Sequence, residues 1–573
     1  MNIILAAINA KYIHSNLAIR CLQGYTLKKT GHPVSRMEFT INQHLDDIVR
    51  EIYKAKPDML GISCYIWNYE MVKYLVPLLK QLLPDCLLFL GGPEVSYSPE
   101  EALLETGCDL IITGEGEKPF ARLVSAFWEG LPYTELPGIA FGRGNSFRSN
   151  PPESPIDLDE LPFPYEDGIP ENRIVYYECS RGCPFSCQYC LSSGSQSVRF
   201  RSLGRVFSDF DRFFAYHVPQ VKLVDRTFNC NKEYCMSIWK YLSTRDNGVT
   251  NFHFEIAAEL LDEEEIGFLN HVRPGLFQFE IGVQSTNPDT LAAIKRITLP
   301  EKLTPVVKGL QKGRNIHLHL DLIAGLPLEG YSRFGESFDY VYSLHPDQLQ
   351  LGFLKLLKGS GLRREEKKYG LCHTPFAPYE VTSTPSLSYG ELCSLKMIAE
   401  MVDIYFNSHR YDGEVSFLLS FFSSPFAMFS SLARFYEEKG FHRAPHAKTE
   451  YYTILFEFLK MISPASSARF SWLARHDIYS FEKAKKLPEW MGNGKKDEYR
   501  DAIYCFFDDP GNVQRCLPEY AGLSAKEILR SAHIEVFPFD PRTGKEGDTA
   551  LLYNYRRPHF PSGASVTSVN LPK

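Results

Sequence analysis

No long hydrophobic run crosses this 573-residue sequence. The nearest to one, Val415 to Ala433, is free of charge but studded with serines and split by Pro425. It reads as two packed amphipathic helices meeting at Ser423-Ser424-Pro425 rather than as a membrane span. The opening MNIILAAINAKY has no basic stretch ahead of its short apolar run, so a first strand is expected there and not a secretory leader. Positive charge is in deficit: 62 Lys and Arg stand against 69 Asp and Glu, for a net charge of −7. That balance argues against a broadly basic nucleic-acid surface, so neither a nucleic acid nor a membrane is expected as partner. Internal repeats and low-complexity tracts are absent, and 44% hydrophobic with 23% charged residues excludes disordered, collagen-like and coiled-coil chains. The 14 cysteines lie mostly singly inside apolar segments and form no disulfide framework. They read as reduced thiols, which points to a cytoplasmic protein.

What is present is a strand–helix alternation. Apolar runs at Ile3–Ala7, Met59–Ile66, Leu87–Leu90 and Leu110–Thr113 are separated by helix-periodic stretches such as Asp46–Lys56 and Asn68–Leu83. Buried runs of this kind imply a doubly wound, Rossmann-like parallel sheet over residues 1–134, with ligands outside the carboxyl ends of its strands. Residues 135–172 read as a hairpin followed by a proline-dense linker. Six new strand candidates follow at Ile174–Cys179, Val221–Val224, Phe252–Ala257, Leu276–Val283, Ile316–Ile323 and Asp347–Leu357, with helices expected between them, including Asp262–Val272 and Thr290–Lys312. Six βα units over residues 173–374 suggest a partial (βα)6 barrel of the TIM type, whose chemistry sits at the carboxyl ends of the strands. Residues 375–573 read as a mainly helical, aromatic-rich region with a polar tail from Arg556 and no metal-binding histidine spacing.

The most specific motif is ECSRGCPFSCQYC, where Cys183, Cys187 and Cys190 have the spacing C-x3-C-x2-C just after a strand. Three thiolates in one Gly/Pro-punctuated loop can converge on a soft metal centre. Paired-CxxC zinc spacing is missing, and the next cysteine is Cys230. A cubic iron–sulfur cluster usually takes four cysteines, so three leave one iron open to a substrate. Cys179 is the alternative fourth ligand, although its place within the strand suits a packing residue.

These residues resemble the radical S-adenosylmethionine enzymes, whose signature C-x3-C-x-aromatic-C reads here Cys183-PFS-Cys187-Gln188-Tyr189-Cys190. The segments LVDRTFNCN, EIGVQS, DLIAGLP and LKLLKGSGL are similar to later strand segments of that family, in the same order. The resemblance implies a 4Fe–4S cluster on Cys183, Cys187 and Cys190, an open iron that chelates S-adenosylmethionine, and reductive cleavage to a 5′-deoxyadenosyl radical in an oxygen-sensitive enzyme. Tyr189 would border the adenine.

Other candidates follow from strand ends. Asp225 is placed to accept a hydrogen bond from an ammonium or hydroxyl group, or to cap its loop. Of Glu255 and Glu259, one is expected to reach the ribose or amino-acid end of the cofactor and the other to be a solvated or capping charge. Glu280 and Gln284 share one face of a strand by period 2, the face expected to point into the barrel and contact cofactor or substrate, and a buried carboxylate there needs a partner.

In the first domain the dinucleotide fingerprint G-x-G-x-x-G is absent. Glycine turns appear instead at Gly91-Gly92-Pro93 and at Gly114-Glu115-Gly116-Glu117. Placed ahead of the cysteine loop, this domain resembles that of the cobalamin-binding radical S-adenosylmethionine enzymes. The resemblance implies that Ser63, Gly91, Gly92, Gly114, Glu115, Gly116 and Glu117 line a corrinoid. The mutase pattern D-x-H-x-x-G is missing around His14, which reads as a loop or core histidine. The expected reaction is C-methylation of an unidentified small-molecule or peptide substrate, with a reductant such as flavodoxin or ferredoxin. A radical rearrangement or cyclisation without methyl transfer, a non-catalytic iron–sulfur scaffold or redox sensor, and a zinc-binding regulator are the alternatives.

Overall fold

The first strand, β1 (Ile3–Asn9), is buried along its whole length, as a strand covered on both faces must be. It lies between β2 (Ser35–Thr40) and β3 (Met59–Ser63), followed in space by β4 (Leu87–Gly91) and β5 (Leu110–Ile112). All four of these pairings are parallel. Strand order therefore reverses at β1, and the crevice between the carboxyl ends of β1 and β3 is the ligand position of a doubly wound sheet. Strand β2 alternates charged and apolar residues at the sheet edge, which is why no apolar run marks it in the sequence. The computed structural model of the chain describes residues 1–194, 197–297, 300–495, 497–558 and 563–571.

The hairpin of 135–172 does not stand apart from the first sheet. Strands β6 (Ile139–Phe141) and β7 (Arg148–Ser149) extend it, with β6 pairing antiparallel to β5 through Ile111 and Ala140. Both of those residues are buried, so the short β5 gains a covered edge.

The second set of strands begins at β8 (Val175–Tyr177). A two-residue antiparallel pair, β9 (Ser180–Arg181) with β10 (Arg199–Phe200), closes the base of the cysteine loop. Strands β11 (Gln220–Leu223), β12 (Asn251–Ile256) and β13 (Phe277–Gln284) then add in parallel in the order β8-β11-β12-β13. Period 2 sets their two faces. Phe254, Phe277 and Phe279 cluster with Phe228 and Trp239, and Phe252 with Phe210 and Phe214, on one side, while Lys222, His253, Gln278 and Glu280 take the other. The expected helix Thr290–Lys312 is two helices, Pro288–Ala293 and Pro300–Gln311. The break has a physical cause: Lys295 takes a left-handed φ of 52°, and Pro300 opens the second helix, where its missing N–H costs nothing.

The remaining two expected strands are β14 (His317–Ala324) and β15 (Gln348–Phe353). The chain divides into two compact units, one of residues 1–316, 323–331 and 352–389 and the other of 317–322, 332–351 and 390–573. The second unit is mainly helical. Its serine-rich stretch forms helices Asp412–Leu419 and Pro425–Lys439, and Ser424 caps the second through Ala427 N. Its last part is not helical: Ala532–Phe539, Glu546–Pro558 and Ala564–Val569 form an antiparallel three-stranded sheet. Phe537, Leu551 and Tyr553 bury its faces, a strand periodicity hidden by the intervening charged residues. Among the described residues no helix is long and apolar enough to cross a membrane.

Candidate active site

The three motif cysteines follow β9 in one loop. Cys183 and Cys187 are buried, Cys190 is half-buried, and all three thiols are free. The loop is pinned through Gln188, whose N–H donates to Ile294 O at 2.9 Å and whose carbonyl accepts from Leu362 N at 2.8 Å. The break in the helix brings Arg296 to the loop. Its Nη2 donates to Gly282 O at 2.6 Å, and its Nη1 stands 3.8 Å from Cys187 Sγ. Thr227 Oγ1 lies 3.6 Å from Cys183 Sγ. A guanidinium and a hydroxyl beside two thiols are the neighbours that stabilise thiolate charge.

Among the described residues, no three His, Cys, Asp or Glu side chains gather as they would around one metal ion. A cubane binds each thiolate to a different iron and needs them farther apart than a single ion does, so the donor set suits a cluster. Cys179 is buried beneath the loop. Its N–H donates to Asp225, its carbonyl accepts from Arg201 N, and burial pushes its thiol well above the usual range. The phenol of Tyr189 is likewise pushed up by burial, with Cys187 beside it.

Asp225 is turned toward the strand that enters the loop. It accepts from Cys179 N at 3.1 Å and from Ser180 Oγ at 2.5 Å. Complete burial raises its carboxyl to about 7, with those hydrogen bonds opposing the rise. Glu280 is partnered as the period-2 argument requires, by Lys222 Nζ at 3.0 Å and His253 Nε2 at 2.9 Å. Glu255 lies in register beside it on β12, and Glu259 follows in the short turn Ala258–Leu260. Gln284 ends β13 in a left-handed backbone, φ 70°, and its buried Oε1 has no hydrogen-bond partner. Strain and an unanswered acceptor at a strand end are features of a ligand contact.

In the first domain the hydroxyl of Ser63, at the carboxyl end of β3, is buried without a partner. A β-carbon on Gly91 would meet nothing nearer than 3.7 Å and one on Gly114 nothing nearer than 4.0 Å, so both present open backbone. Gly92 has a different reason: at φ 115° its missing β-carbon would lie 2.5 Å from Cys64 O. An orphan hydroxyl at the switch point and bare glycine backbone after β4 and β5, all along the carboxyl edge of the sheet, fit a bulky cofactor. The carboxylates of Glu115 and Glu117 face elsewhere, toward Arg181 and Arg199, and Gly116 caps the helix that follows. His14 donates to or accepts from Tyr176 Oη through Nδ1 at 2.6 Å, and its backbone bridges Ile174 beside β8.

Sequence reasoning missed Arg296, Thr227, Lys222, His253 and Arg181. Lys222 and His253 carried a signal, since they are polar residues at period 2 in otherwise apolar strands.

Comparison with known proteins agrees with this geometry. Residues 3–124 match the B12 binding domain, residues 177–341 the Radical SAM superfamily, and residues 367–552 a module described as "Protein of unknown function (DUF4080)". The chain is 26% identical to an uncharacterized methyltransferase of Pyrococcus horikoshii, over 52% of this chain and 68% of that protein. It is also 26% identical to the cobalamin-dependent radical SAM methyltransferase TokK of Streptomyces tokunonensis, over 58% of this chain and 52% of that one. The match thus spans about half of TokK. The fold is similar to that of the cobalamin-dependent S-adenosylmethionine radical enzyme OxsB, solved with aqua-cobalamin and S-adenosylmethionine, at a TM-score of 0.57 and 16% identity, covering 80% of this chain and 75% of that one. These matches set a B12-binding domain ahead of a Radical SAM domain, the domain order of radical S-adenosylmethionine enzymes that carry a B12-binding domain. The DUF4080 match follows these two domains in the chain. A 4Fe–4S cluster, S-adenosylmethionine and cobalamin are the cofactors of these domains, and the chemistry calls for an external reductant.

Proposed function

We propose that the chain is a cobalamin-dependent radical S-adenosylmethionine methyltransferase that transfers a methyl group to carbon. The carrying observation is the cysteine loop, in which three free thiols lie in one pinned segment with Arg296 beside Cys187 and Thr227 beside Cys183. Cys183, Cys187 and Cys190 hold the cluster, and Tyr189 borders the nucleoside. Cys179, fully buried at the strand end with its backbone bonded to Asp225 and Arg201, is read as a packing residue and not as a fourth ligand.

When bound, the cluster with S-adenosylmethionine supplies the adenosyl radical and cobalamin carries the methyl group. The chain's own part is to bind, orient and exclude water. Ser63, Gly91 and Gly114 offer an orphan hydroxyl and open backbone to the corrinoid. Gln284 offers its unpaired Oε1 to S-adenosylmethionine at the end of β13. Asp225 acts indirectly, fixing the strand that leads into Cys183. Glu280, held by Lys222 and His253, makes the barrel face polar, which suits a polar substrate better than a lipid. Flavodoxin or ferredoxin in the cytoplasm would supply the electron.

The test is anaerobic purification with iron, sulfide and corrinoid analysis, followed by assays for 5′-deoxyadenosine and for product mass. About four irons, one corrinoid and a product heavier by one methyl support the reading. A product of unchanged carbon count would instead indicate rearrangement or cyclisation, and a lone zinc would remove the radical chemistry.

A further inference from the structure

The acidic residues of both glycine turns in the first domain point at cations, half-buried Arg181 and buried Lys358, that lie outside the B12-binding match. In the turn after β5, Glu117 Oε1 is 2.8 Å from Arg181 Nη2, and Glu115 Oε2 is 3.3 Å from Arg181 Nη1. Glu117 is 5% exposed, and its carboxyl sits below the ordinary range although burial alone would raise it, because the Arg181 guanidinium overrides that effect. Arg199 holds the other oxygen of Glu115.

In the turn after β4, Glu94 is 4% exposed, accepts from Tyr379 Oη at 2.7 Å, and has Lys358 Nζ at 3.9 Å. Lys358 is 7% exposed, lies 3.1 Å from Glu101, and stands over the rings of Tyr69 and Tyr379. The Tyr97 ring of the same turn fills the space over Gly359. Charges this deeply buried persist only when paired, so each turn is held from both sides.

We infer that Arg181 and Lys358 are positioning residues for the corrinoid. The glycine turns that would carry cobalamin take their final shape only when these two cations, both from beyond the B12-binding match, close on Glu117 and Glu94. Arg181 also pairs with Glu178 at 2.8 Å and stands two residues ahead of Cys183, so one turn of the corrinoid seat and the entry to the cysteine loop share a single ion network. The first domain alone would present its turns unlatched and would bind cobalamin weakly, since the ordering would have to be met at binding. This inference rests on the cobalamin assignment made under Proposed function.

The test is equilibrium dialysis of hydroxocobalamin against the full-length protein, as wild type and as Glu117→Gln, Lys358→Met and Arg181→Lys. Each is measured well below its thermal transition, with circular dichroism to establish the fold. Glu117→Gln and Lys358→Met are expected to raise the Kd about tenfold, the size of a typical coupling between sites, and Arg181→Lys to raise it less. A purely structural role would lower the transition temperature and leave the Kd of the folded protein unchanged. That result overturns the inference while the cobalamin assignment stands. Wild-type protein that binds no hydroxocobalamin overturns both. Hydrogen exchange on the wild type needs no variant: hydroxocobalamin should slow amide exchange across 178–183 and 354–362, and unchanged exchange there overturns the inference.

Discussion

Arg296 bridges two elements at once, donating to the carbonyl of Gly282 at the end of β13 and standing 3.8 Å from the sulfur of Cys187. A fixed cation beside one cluster ligand favours the reduced, more negative state of the cluster. Arg296→Leu is therefore expected to move the midpoint potential of the reconstituted cluster to more negative values, on the order of tens of millivolts. Redox titration followed by electron paramagnetic resonance reads the shift, and an unchanged potential would remove Arg296 from the cluster's surroundings.

The two nearby cysteine positions should behave differently. Cys187→Ala is expected to abolish the visible absorption of the cluster and all formation of 5′-deoxyadenosine. Cys179→Ala is expected to keep full iron content and to lower stability by about 1–2 kcal/mol, the loss of a small buried side chain. Iron analysis and thermal unfolding of the two variants side by side decide the assignment.

Asp225 gives a pH dependence whose sign is fixed by its raised carboxyl. Its folded value of about 7 lies above the unfolded value near 3.9, so the folded protein holds the proton more tightly. The stability this contributes is complete below the unfolded value and is lost as pH rises toward 7. Asp225→Asn, which resembles the protonated acid, should gain on wild type between pH 4 and 7 by at most about 4 kcal/mol and run parallel above that. Urea unfolding midpoints across that range test it, and parallel curves throughout would show that Asp225 does not titrate in the window.

Glu414 in the second unit is buried with both carboxylate oxygens unpartnered, and burial, with Asp477 nearby, raises it well above the usual range. Its contribution is complete at acid pH and lost as pH rises above about 4. Glu414→Gln should therefore stabilise the protein by about 1–3 kcal/mol at pH 8 and by less at pH 5, read as a rise in Tm. Equal Tm values at pH 8 would mean that water or another group reaches this carboxylate.

The legible parts of this protein are local ones. The cysteine loop is readable because its three candidate ligand positions, Cys183, Cys187 and Cys190, fall within eight residues. The parallel strands are readable because a short apolar run bounded by turn residues and flanked by helical periodicity suits little besides a buried strand. What escaped was set by contacts distant in sequence. Arg296 is 109 residues from Cys187, and only an unforeseen break in a helix delivers it. Strand β2 was hidden because an edge strand needs no apolar run, and the C-terminal sheet because polar His533 and Glu535 interrupt its buried first strand. The carboxylates of Glu115 and Glu117 were legible as belonging to a ligand-side turn, but their partner Arg181 lies in another module, and no spacing rule connects the two.

Gly182 stands directly before Cys183 with φ 112°, and a β-carbon there would lie 2.2 Å from Ser197 O. No other amino acid fits that bend, so the approach to the first thiol is drawn by the main chain itself. A side chain at this one position would bend the chain just before the first cysteine and so redirect all three thiols together.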